Sequence, residues 1–284
     1  MLVPMKSLLH EADAVGKAVG AFSVGNMEMV MGVIRAAEET ATPVILQIAE
    51  KRLNNSPFEL IAPMMVSAAE NAKVNIAVHL DHGLTFDCVQ KALQYGFTSV
   101  MLDYSLKSFG ENIECTKEVV ALAERFGASV EAELGVVGGN EGDTEEHKIT
   151  CTDPEAAEEF CEKTGIDALA VAIGNAHGNY PVLPELRFDV LERIYNKCPI
   201  PLVLHGGTGI TDAMFRKAIE LGIRKINIAT ASFDALTCSS KYYFNSNTTH
   251  DYFSLSENMV QGVYKNVIKF INLFNNKENC YEIH

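Results

Sequence analysis

Short apolar or β-branched runs alternate with amphipathic stretches from one end of this chain to the other. In order, the runs fall at residues 18–24, 43–49, 75–80, 99–103, 129–134, 168–173, 201–204 and 225–228. They lack the clean alternation of a half-exposed sheet, so they predict parallel strands covered on both faces. Between them, apolar positions return every three or four residues. Met27, Val30, Met31 and Ile34 share one helix face, as do Phe58, Ile61, Ala62 and Met65. Further helices are predicted over 86–95, 112–126, 154–163, 189–195 and 212–221, and one over 5–16 closes the barrel floor. Eight strands, nearly all followed by a helix, predict an α/β fold of the TIM (β/α)8 barrel type. An open doubly wound sheet usually carries a glycine fingerprint after its first strand, which Gly20 and Gly25 do not make. No Pro/Ser-rich linker breaks the alternation, so residues 1–284 are expected to form a single domain. From about 238 the pattern departs: 238–250, rich in Ser, Asn, Thr and Tyr, reads as a long loop. Residues 255–274 then read as one or two helices packing on the barrel or on a neighbouring subunit.

Charge narrows the partners. The formal net charge is −14, from 23 Lys+Arg against 37 Asp+Glu. So acidic a surface argues against non-specific nucleic-acid binding and against attachment to anionic membranes. An anionic substrate would have to be held by local devices, such as backbone amides and a metal. Seven Cys are scattered singly with no CxxC pair, which suits a reducing compartment. Lys6, Glu11, Asp13 and Lys17 near the N-terminus do not make a signal peptide, and a cytoplasmic location is expected.

In this fold the chemistry sits where strands end, so those positions carry the functional reading. Strand three runs into His79-Leu80-Asp81-His82-Gly83, strand four into Asp103, and strand five into Glu131 and Glu133. Strand six ends at Gly174-Asn175-Ala176-His177-Gly178 and strand seven at His205-Gly206-Gly207-Thr208-Gly209. Strand eight ends at Asn227, Ala229 and Thr230. Three imidazoles from separate strands, His82, His177 and His205, are what a catalytic zinc site with an open position requires. His79 lies deeper and is expected to be structural. Asp81 is a candidate proton acceptor, or else a carboxylate that orients a ligand histidine. The glycine-rich turn at 206–209 and the segment 227–230 fall where these barrels hold phosphate, using amides, a hydroxyl and a helix N-terminus.

The HLDHG, AIGNAHG, LHGGTG and KINIAT stretches, with GAFSV, PVILQIAE, SVMLDYS and VEAELG-VVGG, resemble the class II (zinc-dependent) ketose-bisphosphate aldolases over roughly residues 5–237. That family includes the fructose- and tagatose-bisphosphate enzymes. The resemblance implies Zn2+ on His82, His177 and His205, with Glu133 and Asp103 as carboxylates able to hold an alternative or second ion. It implies that Asp81 exchanges the proton of the C4 hydroxyl as the C3–C4 bond breaks or forms, and that Glu141 moves the proton at C3. Asn227 would contact the enediolate. Gly178, Gly206 and Thr208 would bind phosphate and a monovalent cation (Na+ or K+), and Ala229 and Thr230 would complete the phosphate site. The implied reaction is reversible cleavage of a sugar phosphate, fructose or tagatose 1,6-bisphosphate, to dihydroxyacetone phosphate and an aldehyde such as glyceraldehyde 3-phosphate. The implied assembly is a homodimer or homotetramer.

The departures are informative. Ser23 stands where the family usually has Asn, and QIAEKRL is not its common form at the end of strand two. The bisphosphate enzymes often take an arginine from a neighbouring subunit's C-terminal region, yet no arginine follows Arg224. Lys241, Lys265, Lys269 or Arg52 are the alternatives for holding a distal phosphate, or the substrate is a ketose 1-phosphate without one. A zinc hydrolase on the same barrel is the remoter alternative, and the 18–24 run lacks the HxH pair it would normally show.

Overall fold

The computed structural model describes residues 1–138, 150–178, 183–246 and 248–276. Its strands are β1 (Val19–Ser23), β2 (Val44–Ala49), β3 (Ile76–Gly83), β4 (Ser99–Leu102), β5 (Ser129–Leu134), β6 (Ala168–Val171), β7 (Leu202–Leu204) and β8 (Ile223–Ile228). They pair in parallel in chain order, and β8 pairs back onto β1, which closes the TIM barrel that the alternation predicts. The covering helices are α2 (Met27–Glu39), α3 (Phe58–Asn71), α4 (Phe86–Gln94), α5 (Phe109–Glu124), α6 (Pro154–Thr164), α7 (Phe188–Lys197) and α8 (Asp212–Glu220). Asn26, Thr85, Ser108, Asp153 and Thr211 each accept a hydrogen bond from the first turn of the helix they precede. Each thereby satisfies an amide that has no partner within its helix.

Period-two alternation divides every strand between an outer and an inner face. Outward side chains such as Phe22, Leu46, Val78 and Leu80 join the apolar layer beneath the helices. Inward positions begin small and apolar: Ala21, Ile45, Ala77, Ala168, Ala170 and Val203 pack on Met5, Leu8, Leu9 and Ala12 of α1 (Met5–Ala14), which plugs the floor. Two residues further along, Ser23, Gln47 and His79 turn three of these rows polar, and β5 and β8 add the buried polar groups Glu131, Lys225 and Asn227. The fold thus delivers polar groups to one mouth and seals the other.

The tail corrects one expectation. Residues 238–246 are not loop: they continue α9 (Thr230–Ser246), and only a short turn precedes α10 (Tyr252–Phe274). The hydroxyls of Thr237, Ser239 and Ser240 donate to carbonyls three or four residues back, so side chains that favour loops when isolated are satisfied inside the helix. Packing supplies the rest. A side chain on Gly262 would meet Ser239 Oγ at 2.5 Å, so small residues let α9 and α10 approach closely. Tyr243 is buried and bonds Asp251 in both directions across the turn. Among the described residues, no helix is long and apolar enough to cross a membrane.

Candidate metal centre and active site

Strict alternation would send Asp81 and His82 to opposite faces of β3. Instead the β3–β4 register shifts between Leu80 and Gly83, and His82 takes a φ of 39°, a conformation that residues with side chains rarely adopt. Both side chains then serve the barrel mouth. His205 follows β7 directly, and His177 lies in the connection after β6, where its amide donates to the Gly138 carbonyl. The two loops touch at Gly206: at its φ of 66°, an added Cβ would sit 2.0 Å from the Ala176 carbonyl oxygen. Any larger residue there would push His177 and His205 apart.

The three rings cluster with centroid separations of 4.6 Å (His82–His205), 4.9 Å (His82–His177) and 5.8 Å (His177–His205). One nitrogen from each lies within 4.8 Å of the others, and His82 forms a second such group with Asp103 and Glu133. His82 Nε2 and His177 Nε2 are buried without a hydrogen-bond partner, and His205 Nδ1 and Glu133 Oε2, equally buried, have only each other at 3.2 Å. Orphaned buried acceptors are costly unless something binds them. Three imidazole nitrogens and a carboxylate oxygen fit a divalent transition ion.

The groups behind the histidines set their tautomers. His82 Nδ1 and Asp103 Oδ2 are 2.8 Å apart, and His205 Nε2 lies 2.8 Å from Glu131 Oε1. Burial opposes ionisation of both carboxylates, but their basic neighbours outweigh it and hold Asp103 and Glu131 well below the usual carboxylate range. As anions they only accept, so His82 donates from Nδ1 and His205 from Nε2, which leaves the opposite nitrogens as the ones a metal would take once they are deprotonated. Burial also works against a charged His82, yet Asp81, Asp103 and Glu133 push it up to about 10. His177 goes the other way, held neutral first by burial and then by His82 and His205. Burial, first, and the Asp103 charge raise Glu133, against the pull of His205 and His82. His79 stands apart from the cluster, bonded through Nδ1 to Ser99 Oγ at 2.8 Å.

Asp81 is positioned by a chain that starts at Lys225. The Lys225 ammonium lies fully buried, 2.9 Å from Glu131 Oε2, and donates to Asn227 Oδ1 at 2.7 Å. That bond fixes which way the Asn227 amide faces, so its Nδ2 donates to Asp81 Oδ1 at 3.0 Å. Gln47 Nε2 donates to Asp81 Oδ2 at 3.0 Å and to Ser23 Oγ at 3.2 Å. Gln47, Glu131 and Lys225 had no assigned role in the sequence reading. The available signal was a polar residue at an inward position of an otherwise apolar strand. Removing the buried cation leaves Glu131 uncompensated, so Lys225→Met is expected to cost roughly 3–5 kcal/mol of stability. Guanidinium unfolding measures this, and Glu131→Gln added to it should recover part of the loss. An unchanged midpoint would show that Lys225 is not the counter-charge.

Beside the histidines opens a cleft lined by Asp81, His177, Gly178, Gly206, Gly207, Thr208, Asn227, Ala229 and Thr230. It gathers the substrate residues expected from the sequence around Asp81. None of the described residues lining it is Lys or Arg; amides, the Thr208 hydroxyl and the start of α9 face it instead. Glu141 lies outside the described residues.

Comparison with known proteins gives the family. The family model described as "Fructose-bisphosphate aldolase class-II" matches residues 3–279. A fructose-bisphosphate aldolase of Geobacillus stearothermophilus is 44% identical over 239 residues, covering 83% of each chain. The Escherichia coli (strain K12) protein YdjI, named as uncharacterized, is 43% identical over 268 residues, which is 93% of this chain and 95% of that one. The crystal structure of the YdjI aldolase superposes with a TM-score of 0.87 at 39% identity, covering 96% of this chain and 97% of that chain. The chain therefore belongs to the class-II fructose-bisphosphate aldolase family and is an aldolase, a carbon–carbon lyase.

Proposed function

We propose that this aldolase cleaves a ketose phosphate or bisphosphate between C3 and C4, releasing dihydroxyacetone phosphate and an aldehyde. The observation that carries the reading is the meeting of three buried histidine nitrogens, one hydrogen-bonded carboxylate and a cleft lined by backbone amides and a hydroxyl at one mouth. His82, His177 and His205 would hold zinc, on which the family generally depends, with Glu133 and Asp103 close enough to share or exchange it. Zinc, when bound, supplies Lewis-acid polarisation of the ketone, so the charge left at C3 spreads onto oxygen without a lysine Schiff base.

The chain's own residues divide the remaining work. The amides around Gly178, Gly206, Ala229 and Thr230, with the Thr208 hydroxyl, hold the C1 phosphate at the start of α9. A Na+ or K+ beside that phosphate would balance its charge, since none of the described residues lining the cleft is cationic. Asp81, aligned by Gln47 and Asn227, takes the C4 hydroxyl proton as the bond breaks and returns it in the aldol direction. Asn227 also faces the three-carbon product, and Glu141 is assigned the proton at C3.

Two further expectations concern the whole protein. Exposed Tyr242, Phe244, Tyr252 and Phe253 around the α9–α10 turn suit a homodimer or homotetramer contact. Free thiols at Cys88, Cys115, Cys151, Cys161, Cys198 and Cys238 suit a reducing, cytoplasmic setting. The test of the function is release of dihydroxyacetone phosphate from fructose 1,6-bisphosphate, tagatose 1,6-bisphosphate and fructose 1-phosphate. Activity should vanish with a chelator and return with zinc. No release from any of the three by zinc-loaded protein would overturn the reading.

A further inference from the structure

We propose that Lys225 is a positioning residue for turnover: its ammonium locks the Asn227 amide with Nδ2 toward Asp81 and so keeps that carboxyl group aimed through each proton transfer. The proposal rests on the aldolase reading above and adds to it a residue outside both the metal groups and the cleft lining.

The backbone is adjusted to put this lysine inside. On strict alternation Ile223 and Lys225 would share a face of β8. Instead Leu202 pairs with Ile223 and the next residue, Val203, pairs with Lys225, so Arg224 is an extra residue on β8. A bulge of this kind re-aims the side chains that follow it. Ile223 stays in the apolar layer beneath the helices. Lys225 pairs with Val19 of the inner cluster, and its side chain is fully buried in the barrel.

Charge balance accounts for one of its two contacts. Lys225 Nζ lies 2.9 Å from Glu131 Oε2, and Glu131 Oε1 lies 2.8 Å from His205 Nε2. The other contact, 2.7 Å to Asn227 Oδ1, adds nothing to that balance and acts on geometry instead. An asparagine amide keeps nearly the same shape after a half-turn that exchanges its oxygen and its NH2. An ammonium has donors and no acceptor, so Oδ1 must face Lys225, and Nδ2 is left to donate to Asp81 Oδ1 at 3.0 Å. While Asp81 is ionised it demands the same orientation. Once it carries the C4 proton it can also donate, and either face of the amide suits it. Lys225 keeps the amide from turning at that stage, so the proton stays available to the substrate and is not drawn into a bond with Oδ1.

The test replaces the buried pair by neutral side chains of nearly the same size. In Lys225→Gln/Glu131→Gln, the amide at 225 can accept from the one at 131 and still donate to Asn227 Oδ1. In Lys225→Met/Glu131→Gln, volume and net charge are nearly the same, but the donor to Asn227 is gone. The zinc-loaded proteins are compared on whichever of fructose 1,6-bisphosphate, tagatose 1,6-bisphosphate and fructose 1-phosphate the native chain cleaves fastest, with zinc content and melting temperature measured alongside. The methionine variant should turn over about 30-fold more slowly than the glutamine variant at matched zinc content, through kcat rather than KM. A role confined to charge balance or packing predicts equal turnover, because both double variants lack the charges and fill the same space. The single variants Lys225→Gln and Lys225→Met give the same comparison with Glu131 intact, should a double variant not fold. Equal kcat for methionine and glutamine, or a loss that follows zinc content or melting temperature, overturns the proposal while leaving the aldolase reading intact. Failure of the native zinc-loaded chain to cleave all three substrates overturns both.

Discussion

His82→Ala is expected to lose zinc and activity together, with residual turnover on the order of 10³-fold below the native enzyme or lower. Three features make this position more severe than an ordinary ligand loss. His82 contributes to both metal groups found among the described residues, the three-histidine set and the set with Asp103 and Glu133, so neither survives its removal. Its ring lies between the other two, with the two shortest centroid separations of the cluster. Its loss also strips Asp103 of the partner that helps keep it ionised, leaving two carboxylates facing each other at the mouth. The same environment gives the native site a pH signature. In the metal-free protein the carboxylates hold a proton on His82 up to about pH 10, and zinc must displace it. Zinc affinity should therefore fall as pH is lowered through neutrality, with proton release on loading. Equilibrium metal titration with a pH indicator measures both. Full activity in a metal-free His82→Ala protein would remove this residue from the site.

What could be read before the fold was known depended on rarity and period. The strand order was legible because buried parallel strands leave contiguous apolar runs, and the helices because their apolar faces recur every three to four residues. The imidazoles stood out because the chain has only 8 His, and three of them fall at strand ends. The groups that align Asp81 were much harder to see. Lys225 opens an apolar strand and reads as a surface lysine, and only closure of the barrel turns it inward against Glu131. Gln47 is one polar residue in a run of aliphatics, and its partners Ser23 and Asp81 come from two other strands. Such contacts are non-local and follow from closure and register, which local patterning does not encode. The register shift that places His82 is of the same kind. The tail misled for the opposite reason: Ser, Thr and Asn suggested loop by composition, while packing of Ser239 against Gly262 made that stretch helical.

Asp81→Ala separates the two roles open to this carboxylate, proton acceptor or orienter of a ligand histidine. The orienting partner of His82 is Asp103 at Nδ1, whereas both Asp81 oxygens are engaged by the amides of Asn227 and Gln47. Two neutral donors aim the carboxylate without neutralising it. Burial resists its ionisation, but His82, His205 and Lys225 prevail and keep it below the usual carboxylate range, so it is ready to accept a proton at neutral pH. It also lines the cleft beside the phosphate residues, within reach of a bound sugar. Alanine should therefore leave zinc content close to native while turnover falls by roughly 10²–10⁴-fold, the range typical of a lost general base. The loss should appear in kcat more than in KM, because the C1 phosphate keeps its amides and the metal its histidines. Alanine rather than asparagine is the informative change, since an asparagine amide would oppose its own N–H groups to those of Gln47 or Asn227. Proton exchange at C3 of dihydroxyacetone phosphate gives a second readout, because that step needs no base at C4. It should persist in Asp81→Ala while cleavage is lost. Loss of zinc in step with activity would instead make Asp81 a support for the metal site, and native turnover would exclude it from the mechanism.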